Sequence, residues 1–87
     1  MLTGNQIRAA RSALRWSVIE LSERSGVSVR TIKRMEVFDG KPNSNFPNVQ
    51  AIREAFESAG IEFIGTLDDR PGFRINTKKS QKNNGNV

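Results

Sequence analysis

The 87-residue chain contains no cysteine and no histidine. Without cysteine it has no disulfide framework, no thiolate metal ligand and no thiol nucleophile. Without histidine it lacks the commonest general base and the commonest metal ligand. No stretch approaches the ~18 consecutive apolar residues of a membrane span. The first residues also lack the basic-then-apolar order of a secretory signal. The expectation is a cytoplasmic protein with no membrane partner. Glu20, Glu23 and Asp68-Asp69 are the remaining acid clusters, and none has a partner base, metal ligand or phosphate loop beside it. No enzyme activity, cofactor or metal is expected. The length suits one domain with a small core, whose stability can lean on a partner subunit.

What is present is positive charge, unevenly spread. The net charge is +5. Residues 1–37 carry seven Lys/Arg against three acids, whereas residues 38–75 carry four against six. Lys78, Lys79 and Lys82 follow in the last segment. Such asymmetry suits a polyanion partner, although a charge run alone is more often a solvated surface.

The first basic region contains the stretch that organises the chain, Ser17 to Glu36, reading SVIELSERSGVSVRTIKRME. Ser17 and Glu20 form an S-x-x-E capping box that starts one helix. Val18, Leu21 and Val27 supply apolar positions, and Gly26 marks a helix stop. Ser28 caps a second helix. Its inward stripe is Ile32 and Met35, with Arg30, Thr31, Lys33 and Arg34 largely off that stripe. Two helices joined by so short a turn, the second with a basic polar face, predict a helix-turn-helix.

The pattern resembles the lambda-repressor-like (Cro, or XRE) DNA-binding domains. The resemblance lies in Leu21-Ser22, in Gly26-Val27-Ser28 at the turn, and in Thr31-Ile32 and Met35-Glu36, and covers about Thr3 to Gly60. One departure is Val18, where such domains usually carry glutamine. The resemblance implies a partly buried ion pair between Arg11 and Glu36, joining the first and third helices. The alternative is that both side chains reach solvent. It also implies backbone contacts to DNA from the segment after the second motif helix, which makes Lys41, Asn43 and Asn45 phosphate candidates.

Elsewhere the chain is read from its own residues. Thr3-Gly4-Asn5-Gln6 is a T-x-x-Q capping box, followed by Ile7, Ala10 and Leu14 at helical spacing. Trp16 precedes the Ser17 cap and is expected to wedge between the first two helices, or to reach a phosphate through its indole N–H. Asp39 to Pro47 is dense in breakers and reads as a loop, anchored by Phe46. Asn48 is expected to cap a fourth helix with Val49, Ile52, Ala55, Phe56 and Ala59 inward, ended by Gly60. Ile61 to Ile64 and Phe73 to Ile75 are β-prone and flank a turn-rich segment, predicting a short hairpin or two edge strands. A lone hairpin is marginal, so it must pack on helices or on another chain. Ile61, Phe63, Phe73 and Ile75 are therefore dimer-interface candidates, and packing on their own helices is the alternative. Residues 76–87 have no apolar period and read as a disordered basic tail.

The sequence thus predicts a mainly α, compact four- to five-helix lambda-repressor-like domain over residues 1–60. A strand or hairpin extension follows over 61–75, then the tail. The expected function is sequence-specific binding of double-stranded DNA in transcription regulation, by a homodimer on an inverted repeat. RNA polymerase or another regulatory protein is a further candidate partner. Base contacts fall to Val29, Arg30 and Lys33, because the first residues of such a helix reach base edges. Phosphate contacts fall to Ser17, Ser28, Thr31, Arg34, Lys41 and Asn43. The alternative is a protein-interaction module, such as an antitoxin or antiactivator, built on the same fold.

Overall fold

The computed structural model describes residues 2–37, 44–66 and 69–75. Along the chain these form α1 (Gly4–Ala13), α2 (Val18–Ser25), α3 (Val29–Glu36), α4 (Phe46–Ser58), β1 (Ile61–Thr66) and β2 (Asp69–Ile75). The protein is mainly helical, with one two-stranded antiparallel hairpin. No described helix is long and apolar enough to cross a membrane. Lys41, Asn43 and the 76–87 tail lie outside the described residues.

Each helix starts where a side chain takes an orphan N–H. At α1 the capping box is complete: Thr3 Oγ1 accepts from Gln6 N at 2.9 Å and Gln6 Oε1 accepts from Thr3 N at 2.8 Å. At α2 the box is half-formed. Ser17 Oγ accepts from Glu20 N at 3.0 Å, but the Glu20 carboxylate takes Arg24 one turn on, at 2.6 Å. A charged partner at i+4 outcompetes the neutral cap N–H. At α3, Ser28 Oγ accepts from Thr31 N at 3.2 Å.

The fourth helix begins three residues earlier than expected. Asn45, not Asn48, is its cap, accepting from Asn48 N at 2.9 Å, while the Asn48 side chain donates to Ser44 Oγ at 3.1 Å. Pro47 falls in the first turn, where a missing N–H costs nothing and the fixed φ suits the helix. Phe46 consequently sits on an outer position, 62% exposed, and does not anchor the preceding segment to the core.

Helix ends follow two chemistries. Gly26 closes α2 at φ 78°, and a Cβ there would meet nothing within 4 Å, so backbone conformation alone calls for glycine. Gly60 follows α4 at φ 99° and donates to Glu57 O. The end of α1 has no such residue. Arg15 adopts φ 59°, with Arg15 N donating to Ser12 O at 3.0 Å and Trp16 N to Arg11 O at 2.9 Å. That is a Schellman closure built on arginine, which costs roughly 1–2 kcal/mol against glycine's freedom.

The core collects Leu2, Ile7 and Ala10 with Leu21, Ile32, Met35, Ile52 and Phe56, all fully buried. Leu2 extends the α1 stripe beyond the predicted positions. The Trp16 ring stacks on Phe56 of α4, centroids 5.5 Å apart, with the guanidinium of Arg24 of α2 4.4 Å from its centroid. It therefore also ties the α1–α2 linker to α4, a contact beyond the structural role expected of it.

The hairpin continues the same aromatic chain. Ile61 pairs with Ile75 and Phe63 with Phe73, which puts these four on one face. Phe63 meets Phe56 edge-on at 5.9 Å and Phe73 at 6.4 Å. The strands extend into the predicted turn segment, with Thr66 paired to Asp69 and an irregularity after Ile64. The hairpin is stabilised by packing on its own helices. Ile61, expected at a dimer interface, is 2% exposed in the core of its own chain and cannot meet a partner.

Candidate functional site

At 100° per residue, Lys33, Arg30 and Arg34 occupy adjoining positions on α3, opposite buried Ile32 and Met35. All three are exposed. None forms an ion pair with an acid among the described residues. Other cations do: Arg11 with Glu36, Arg24 with Glu20, Arg53 with Glu57 and Arg74 with Glu62. The three cations of α3 stand together without such a partner among the described residues. No acidic residue stands in its first turn either, so the positive end of its dipole is also uncompensated.

The remaining predicted residues are placed less uniformly. Val29 is half-buried, so it offers less apolar surface than Arg30 offers charge. Ser28 is exposed, but its hydroxyl donates to Thr31 Oγ1 at 3.0 Å, and Thr31 is half-buried. The Ser28 hydroxyl thus serves the cap first, donating to Thr31 Oγ1 and accepting from Thr31 N. Ser17 is exposed at the start of α2, beside Arg15. Arg15 was not singled out by the sequence; it is exposed and has no acid partner among the described residues. Nothing in the sequence marks it, because the left-handed turn that projects it is built without glycine. Phe63 and Phe73 are half-buried against the core, whereas Ile75, on the same face, and Ile64, on the opposite face, are 42% and 41% exposed.

Behind this face, α3 is held by α1. Arg11 and Glu36 form a forked pair, Nε to Oε2 and Nη2 to Oε1, each 3.0 Å. Arg11 Nη1 also donates to Trp16 O at 3.0 Å. The side chains are 24% and 10% exposed, so the pair is screened little by solvent. Arg8, which the sequence did not mark, donates to the Glu36 carbonyl at the open end of α3. The arrangement fixes the helix that carries the free cations.

Among the described residues no three His, Cys, Asp or Glu side chains gather as metal ligands. A shallow cleft of about 380 Å³ between α2 and α4 is lined by Arg24, Ser25, Ala51, Glu54, Ala55 and Ser58. Its Arg24 already pairs with Glu20, and its Glu54 accepts from Gln50. Comparison of the chain with protein-family models, curated proteins and solved structures finds no match.

Proposed function

We propose that the chain is a sequence-specific DNA-binding transcriptional regulator of the lambda-repressor-like kind, with α2 and α3 as its helix-turn-helix. One observation carries this reading. Arg30, Lys33 and Arg34 project from a helix locked at its far end, with no acid paired to them among the described residues. A helix of this kind fits the major groove of B-DNA, and an arginine near its start can take guanine O6 and N7 bidentately. Arg30 is assigned that role, with Lys33 beside it and Arg34 toward phosphate. Ser17 at the start of α2, and Arg15 just before it, are assigned contacts to the phosphate backbone.

The protein is proposed to act as a homodimer on an inverted repeat, with half-site centres about 34 Å apart. Ile64, on the face of the hairpin opposite Ile61, Phe63 and Phe73, is 41% exposed and is the apolar surface a second copy would cover. Occupancy of the operator would itself be the regulatory act.

Selection from a randomised duplex pool at two salt concentrations tests the reading. Enrichment of an inverted repeat that persists at the higher salt is the expected result. Binding without sequence preference that vanishes with salt would leave only a phosphate term. The exposed hairpin would then favour a protein-interaction module.

A further inference from the structure

Gln6 is 5% exposed, and both ends of its amide are used. Oε1 accepts from Thr3 N in the capping box, and Nε2 donates to the Gly72 carbonyl of β2. A capping box takes glutamate or glutamine alike. Only glutamine also supplies a hydrogen to a carbonyl; a glutamate would set a carboxylate against it. The hairpin, not the cap, therefore dictates glutamine at this position. The same helix carries Arg8 and Arg11, which hold the end of α3. One rigid element thus grips the hairpin at its first turn and α3 further along. The Ile61, Phe63 and Phe73 contacts hold the hairpin down on one face, and edge-on aromatic pairs are met over a range of centroid separations, so they define its angle only broadly. A hydrogen bond is directional and does fix it.

We propose that Gln6 is a positioning residue: its bond to Gly72 fixes the hairpin relative to α3 and so sets the separation of the two recognition helices when two copies meet through their hairpins. This rests on the two-copy DNA-binding reading above.

The test compares Gln6→Glu, which keeps the acceptor for Thr3 but loses the donor, with Thr3→Ala, which weakens the cap but keeps the donor. Amide hydrogen exchange on the free proteins reads the tether. In Gln6→Glu the hairpin amides are expected to exchange about tenfold faster relative to α1–α4 amides, with no such selective change in Thr3→Ala. Binding to duplexes with half-sites at graded spacings reads the consequence. Wild type and Thr3→Ala should share one preferred spacing, while Gln6→Glu should lose that preference and keep its affinity for a single half-site within about twofold.

Equal hairpin exchange in the two variants overturns the tether. A Gln6→Glu affinity that falls by one factor at every spacing overturns the positioning role and leaves a structural one. If the tether result holds but wild type shows no spacing preference, the positioning role falls together with the two-copy reading, and the exchange data show that the bond itself was not at fault.

Discussion

On one side of α3, Glu36 is gripped by the Arg11 fork and its carbonyl by Arg8; on the other, Arg30, Lys33 and Arg34 stand in solvent, paired with no acid among the described residues. The helix is short, and its two sides use the same residue types for opposite ends. Inside, charge is neutralised and satisfied by several bonds, which makes it structural. Outside, the charge is left for something else to neutralise. Removing a cation should therefore have contrasting consequences on the two sides.

The largest effect is expected inside. Arg11→Ala should lower unfolding free energy in urea by roughly 3 kcal/mol, because Glu36 is left mostly buried without its partner. The double variant with Glu36→Ala should lose less than the two single losses added. Outside, Arg30→Ala should leave urea stability within about 0.5 kcal/mol. It should cost about 1–3 kcal/mol in binding the selected duplex and relax one base position. A loss equal on selected and random duplexes would demote Arg30 to a phosphate contact.

Two smaller effects test the turns that aim the two sides. Gly26→Ala should cost about 1 kcal/mol in thermal or urea unfolding through its positive φ, since there is room for the methyl group. Arg15→Gly should move the other way, stabilising the free protein by about 0.5 kcal/mol, because relief of the left-handed strain is partly offset by glycine's greater freedom in the unfolded chain. If Arg15 touches phosphate, the same change should reduce the salt slope of DNA binding by about 1.

The parts legible in the sequence were those written in local chemistry. Thr3, Ser17 and Ser28 cap the helices they were expected to cap, Gly26 ends α2, and Phe63 pairs with Phe73 in a hairpin. The basic face of α3 followed from spacing alone. The Arg11–Glu36 pair was implied by family resemblance and is present.

The misses were decided by competition or by distant partners. Glu20 had two possible bonds and took the charged one. Asn45 and Asn48 both read as caps, and the tolerance of a first turn for Pro47 decided between them. Trp16 found Phe56, some 40 residues away, as no local pattern could indicate. Ile61 went to the core because α4 ends beside it, and Arg8 acquired its role only once α3 lay against α1.

Mapping amide chemical-shift changes on adding the selected duplex tests the central claim most directly. The account predicts changes concentrated at Ser17, Val29, Arg30, Lys33 and Arg34, with Arg53, Glu57 and the buried face of α4 unmoved. Changes confined to the hairpin and α4, with the outer face of α3 silent, would contradict it.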